Sequence, residues 1–105
     1  MLEFDGFDWD EANLFKSEVK HGVSRETIEE TLSTALIAVA EDPPHSLKEE
    51  RLLAIGSTNA DRYILIVFTF RFKDGLKLIR PISARYMHAK ERKKYQKENS
   101  EIQDG

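Results

Sequence analysis

Residues 62–85 read RYILIVFTFRFKDGLKLIRPISAR, and the reading of this stretch decides the fold. Two apolar runs flank Lys73-Asp74-Gly75, a turn signal in which glycine supplies a positive φ at little cost. The first run, Tyr63 to Phe72, is the most apolar part of the chain. It is rich in β-branched and aromatic residues, which suits a central strand covered on both faces. The second run, from Leu76 to Ser83-Ala84-Arg85, is interrupted by Pro81. Proline brings no N–H to a ladder, so the strand is expected to lie at an edge, or to bulge, at that point. The hairpin is the expected core, and its far end, where Arg62 and Arg85 lie, is the expected functional edge. A two-residue loop pairs Lys73 with Leu76, and counting onward puts Arg85 opposite Ile64. Arg62 is then its diagonal neighbour on one sheet face. Two guanidiniums so placed repel each other unless an anion or a carboxylate lies between them. The planar fork suits a phosphate, and the same pair equally suits structural bonds to Glu or Asp of the first helices.

Upstream of the hairpin, Arg51 to Gly56 reads as another strand, with Arg51, Leu53 and Ile55 on one face. Ser57 to Asp61 is a polar turn, and Asp42-Pro43-Pro44-His45 a loop. Ala35 to Ala40, ALIAVA, is short enough to be a strand. Ser24 caps a helix that fades near Ser33, with Val23 and Ile28 as a hydrophobic staple. Before it, a first helix is expected from Asp8 or Asp10 to about His21. Its apolar face is Ala12, Phe15 and Val19, with Trp9 packed under its start and Gly22 ending it. Leu2-Glu3-Phe4 is expected as a short edge strand. Downstream, Tyr86 to about Lys97 reads as a charged helix, and residues 99–105 as a disordered polar tail. The expectation is one α+β domain over residues 1–98: two N-terminal helices packed on an antiparallel sheet of about four strands, with a C-terminal helix.

The chain has 105 residues, no cysteine and a net charge of −3. The absence of cysteine excludes a disulfide framework and zinc-finger spacing. The amino terminus, MLEFDGFDWDE, is acidic where a secretory signal would be basic, and the longest apolar run is too short to cross a bilayer. A cytoplasmic protein with no membrane association is expected. The small net charge hides an asymmetry. From Arg71 to Lys97 ten Lys and Arg face two acids, a balance of +8, against −11 for the remainder. A basic C-terminal third fits a polyanion partner, and it also fits a basic helix facing an acidic region of the same molecule.

Candidate chemistry is sparse. Lys20-His21-Gly22 places an imidazole at a helix end, where it can move protons or simply meet the helix dipole. Glu50 and Arg51 are neighbours that point to opposite faces of a strand. His88 and Glu91 are at metal-ligand spacing on a helix, but no third ligand accompanies them, so no metal and no cofactor are expected. Tyr95 after Arg92-Lys93-Lys94 can stack a base between phosphate-binding cations, or anchor the last helix to the sheet.

Taken in order, these pieces resemble the BrnT family. They are Phe7-Asp8-Trp9-Asp10 with Asn13, Lys20-His21-Gly22-Val23-Ser24, Glu49-Glu50-Arg51 with Ile55-Gly56, Ile82-Ser83-Ala84-Arg85, Glu91-Arg92 and Tyr95. BrnT proteins are the toxins of type II BrnT/BrnA toxin–antitoxin modules. The resemblance covers nearly the whole chain. It implies a RelE-like fold and a metal-independent ribonuclease that halts translation. It also implies a BrnA-like antitoxin that neutralises the toxin and is its one link to DNA. Carried onto this sequence, Arg85 is the transition-state cation, with Arg51 and Arg62 as helpers and His21 or Glu50 as the base. Lys20, Arg80, Arg92, Lys93 and Tyr95 are RNA contacts. A non-catalytic nucleic-acid-binding or protein-interaction domain on the same fold is the competing expectation.

Overall fold

The computed structural model of the chain describes residues 2–41, 50–58 and 62–104, with backbone alone beyond residue 98. The Asp42-to-His45 loop, the end of the polar turn after Thr58, and Glu49 lie outside these residues. The elements run β1 (Gly6–Phe7), α1 (Lys16–His21), α2 (Arg25–Thr34), β2 (Leu36–Glu41), β3 (Leu52–Ser57), β4 (Tyr63–Lys73), β5 (Leu76–Tyr86) and α3 (Ala89–Asp104). The fold is α+β, as expected. Strands β2 to β5 form the antiparallel meander, and the sheet order is β1-β5-β4-β3-β2. The fifth strand, β1, joins the outer edge of β5 in parallel, so the sheet is mixed. This strand is Gly6–Phe7 rather than the expected Leu2-Glu3-Phe4.

The hairpin turns as its sequence demands. Asp74 and Gly75 both have positive φ, 51° and 80°, and Lys73 pairs with Leu76. Two left-handed residues give the turn the twist that the strands need. On one sheet face Ala54, Ile64, Ile66, Phe68 and Ile79 are 0 % exposed, packed with Val23, Ile28 and Leu32 of the α2 region. Each large side chain so buried contributes roughly 1.5–3 kcal/mol. Ser24 caps α2 by accepting the Thr27 N–H at 3.2 Å. Gly56 lets α2 approach β3, because a Cβ there would collide with the Thr31 side chain and sit 3.0 Å from the Ala35 carbonyl oxygen. The other face is different. Leu53, Ile55, Leu65 and Val67 are only half-buried, so β4 is central but fully covered on one face alone.

The first helix departs most from expectation. It spans only Lys16–His21, and Phe15 and Val19 are 61 % and 82 % exposed. Its one buried residue, Ser17, and buried Asn13 just before it are polar, because α1 lies along the edge of β5 where β1 has ended and the strand's backbone groups need partners. Asn13 donates its amide to the carbonyls of Asp8 (3.1 Å) and Pro81 (2.8 Å). The Ser17 hydroxyl accepts the Ala84 N–H at 2.7 Å. Trp9 packs against α2 rather than under α1: its Nε1–H donates to Glu29 at 2.7 Å, and Arg25 lies over its ring. The last helix starts at Ala89, since β5 continues through Tyr86. It reaches Asp104, past the expected end at Lys97 and through most of the stretch expected as a tail.

Replacing Asn13 by Ala leaves two buried carbonyls without a donor and is expected to cost about 2–3 kcal/mol, against about 1–2 kcal/mol for Ser17→Ala. Urea unfolding measures both. A loss for Asn13→Ala below about 0.5 kcal/mol, the range of ordinary surface substitutions, would show that the edge of β5 does not need these partners.

Candidate functional site

Arg80 and Arg85 are five residues apart, so on an unbroken strand they would point to opposite faces. The structure brings them to one face. Pairing runs from Lys73↔Leu76 to Phe68↔Pro81, then resumes at Val67↔Ser83, which leaves Ile82 as an extra residue in β5. This is the bulge that Pro81 announced. Arg80 is opposite Thr69 and Arg85 opposite Leu65, both on the open face. The bulge also corrects the expected Arg62–Arg85 pair. Ile64 is opposite Tyr86, and Arg62 stacks over the Tyr86 ring at 3.6 Å from its centroid, with its parity on the helix-covered face.

Arg85 is held by α3. Its Nη1 and Nη2 donate to the two carboxylate oxygens of Glu91 at 2.8 and 2.9 Å, and Nη1 also donates to the Tyr86 carbonyl at 3.3 Å. Glu91 in turn accepts the His88 N–H at 3.0 Å, which caps the start of the helix. Hydrogen bonds from Arg85, then from the His88 backbone, hold the Glu91 carboxyl at about 2, far below the usual glutamate value. A guanidinium carries five N–H donors on two forked edges. Glu91 occupies the Nη1–Nη2 edge. The Nε–Nη2 edge has no protein acceptor among the described residues, and the side chain is 39 % exposed. That edge matches the spacing of two phosphate oxygens. One turn along the helix from Glu91, Tyr95 packs edge-on against Tyr63, and Gln96 donates to the Tyr63 hydroxyl at 3.3 Å. The anchoring role expected as one reading of Tyr95 is thus present, and burial raises its phenol above the ordinary value.

The second cluster lies four β4 residues away, about 13 Å along the strand. Here a cleft of about 230 Å³ is lined by Lys16, Arg51, Arg71 and Arg80 together with Asn13 and Ile82. Arg51 is steered to it by the strand start: the Thr69 hydroxyl donates to the Glu50 carbonyl at 2.6 Å. Arg80 is fixed by the N-terminal segment. It meets Asp10 at 3.0 and 3.1 Å and Asp8 at 3.4 Å, while Lys73 takes the other Asp8 oxygen at 3.0 Å. The Arg80 hydrogen bond lowers the Asp10 carboxyl from its usual range. Arg80, expected as an RNA contact, is therefore also a strut.

Of the other expected residues, His21 and Lys20 are exposed on the last turn of α1, and the Glu50 side chain is exposed. Arg92 is half-buried and Lys93 exposed on α3. Among the described residues no group of three His, Asp or Glu is placed to hold a metal ion, and no helix is long and apolar enough to cross a membrane. Three residues of the site escaped the reading of the sequence. Arg71 and Arg80 are diagonal neighbours in the hairpin register, a signal that was available. Glu91 stands in the sequence reading as a metal-ligand candidate and as part of the Glu91-Arg92 piece, while its place three residues after His88, a capping-box position, is the signal for its role here. Lys16 had no such signal, because it depends on where α1 lies.

Glu91 gives the stability of the molecule a pH signature. Folded Glu91 gives up its proton at about 2, against 4.5 for an unperturbed glutamate. Between these values the unfolded chain holds the proton and the folded chain does not. Its contribution is therefore complete above about 4.5 and is lost as pH falls toward 2. Glu91→Gln keeps an acceptor for the His88 N–H and is expected to flatten this part of the curve in urea unfolding at stepped pH. Parallel curves for the two proteins would sink the assignment.

The family model described as "Ribonuclease toxin, BrnT, of type II toxin-antitoxin system" matches residues 9–91. No curated protein matches the chain. The matched span runs from Trp9 to Glu91 and takes in Arg85, its carboxylate partner and the cationic cleft. The chain belongs to the BrnT family of type II toxin–antitoxin ribonuclease toxins.

Proposed function

We propose that this chain is an endoribonuclease that cleaves RNA without a metal ion, thereby inhibits translation in the cytoplasm, and is neutralised by a BrnA-like antitoxin. The observation that carries the reading is the Arg85 guanidinium. One forked edge is clamped by Glu91, the other meets no acceptor among the described residues, and the residue stands on the open sheet face in a member of a ribonuclease family. In the proposed reaction a base takes the proton from a 2′-hydroxyl, and the 2′-oxygen attacks the adjacent phosphorus. The 5′-oxygen then leaves with a proton from a second group or from water. The products are a 2′,3′-cyclic phosphate and a free 5′-hydroxyl. Arg85 stabilises the charge that builds on the phosphorus oxygens, a task for a donor held in place beforehand. Glu91 holds it there.

Of the two expected bases, His21 fits the Arg85 end better. Ser17 binds the backbone of Ala84, next to Arg85, and His21 lies one helical turn further along α1. An imidazole is the side-chain type best matched to proton transfer near neutral pH. Glu50 adjoins Arg51, at the end of the sheet away from Arg85. The alternative, a binding domain that keeps the fold without the chemistry, predicts RNA binding that survives loss of His21.

The test is cleavage of RNA by purified protein in EDTA, with Arg85→Ala and His21→Ala beside it. Wild type is expected to cut and leave cyclic phosphate ends. Arg85→Ala is expected to lose about 10²–10³-fold in kcat, and His21→Ala about 10²-fold. Salt-sensitive binding with no cleavage by the wild type would overturn cleavage of free RNA in favour of the binding domain or of a toxin that needs the ribosome.

A further inference from the structure

We propose that the cleft of Lys16, Arg51, Arg71 and Arg80 is a second phosphate subsite, so that the substrate is single-stranded RNA lying along the open face. One phosphate sits at Arg85 and another of the same strand sits in the cleft. The inference rests on the reading of Arg85 as the reactive end.

Four observations converge on it. First, the chain is acidic overall, with a net charge of −3, yet four cationic side chains from α1, the start of β3, β4 and β5 meet at one cleft. Their gathering is a product of the fold and not of composition. Second, three of the four are arginines, whose planar forks suit phosphate oxygens better than a point charge does. Asp8 and Asp10 hold one of them, Arg80, in place. Third, the cleft and Arg85 share a face. Arg80 pairs with Thr69 and Arg85 with Leu65, about 13 Å apart along the strand, which is beyond the hydrogen-bond reach of one phosphate group. Two anchors on one polyanion fit that distance.

The fourth observation is the surface between the anchors. Leu53, Ile55, Leu65 and Val67 are half-buried and apolar, and the face carries no charged side chain at those four positions. Bases with unpaired faces can lie on such a strip while their phosphates reach the two cationic ends. A duplex keeps its bases stacked inside and offers this surface nothing, so the arrangement selects unpaired RNA. An acidic segment of a protein partner would use the cations but not their alignment with Arg85.

The experiment compares a dinucleotide, a single-stranded oligomer of about twelve nucleotides and the same oligomer in a duplex. The proteins are wild type, Lys16→Ala and Arg71→Ala. Lys16 is exposed, so its variant keeps the test alive if Arg71→Ala fails to fold. Wild type is expected to prefer the oligomer over the dinucleotide and over the duplex in kcat/KM. Each variant is expected to lose about tenfold of the oligomer preference. Binding of a 2′-deoxy oligomer, which cannot be cleaved by 2′-hydroxyl attack, is read in parallel by anisotropy. Its salt slope is expected to fall by about 0.7 for each phosphate contact removed. An unchanged oligomer preference and salt slope in Lys16→Ala would overturn the subsite. So would an equal loss on dinucleotide and oligomer, which would make the cleft part of the scissile-phosphate site. Failure of the underlying reading looks different: wild type cuts nothing, while the deoxy-oligomer still binds and still depends on Lys16.

Discussion

One unpaired residue in β5 organises the functional face. Ile82 has no partner on β4, because Pro81 removes an N–H from the ladder and the register slips by one. Every side chain beyond it changes faces. Arg85 therefore stands on the same side as Arg71 and Arg80, and Tyr86 moves to the side of Arg62. Without the slip, Arg85 would point toward the packed core under α2, where a guanidinium is costly to bury. The bulge costs the ladder one pairing and places the charge where an anion can reach it.

Both ends of this face are held by interactions that also maintain the fold. At the cleft, Asp8 and Asp10 bind Arg80 and so pin the N-terminal segment onto β5. At the other end, Glu91 caps α3 and clamps Arg85 with the same carboxylate. Asn13 and Ser17 complete the edge of β5 close to the bulge. A polar helix is the means here, since the strand edge offers backbone groups and not an apolar surface. Preorganisation of the cations is in this sense a consequence of how the outer edge of the sheet is satisfied.

Several parts were legible in the residues themselves. Asp74-Gly75 specified the turn, Ser24 the start of α2, and Gly22 the end of α1, which is left-handed at φ 68°. The apolar, β-branched and aromatic composition of Tyr63 to Phe72 pointed to a central strand, and the ordered short motifs pointed to the family that residues 9–91 match. These are signals of short range or of ordered spacing, and they need no knowledge of distant neighbours. The Phe15 and Val19 pattern misled for the converse reason. Apolar periodicity says which residues can share a face, but not whether that face meets the sheet.

By itself, then, the sequence determined the four strands of the meander, the start of α2, the hairpin turn and the presence of a break at Pro81. Only the tertiary structure decided the direction of the slip and hence the parity of Arg85. It also decided the place of α1 along β5, and with it the meeting of Lys16 with Arg51, Arg71 and Arg80. The physical reason is that strand propensity and turn chemistry act over a few residues, whereas the face on which a side chain emerges depends on the cumulative register of a pairing. That register is set by backbone hydrogen bonds between segments far apart in the chain.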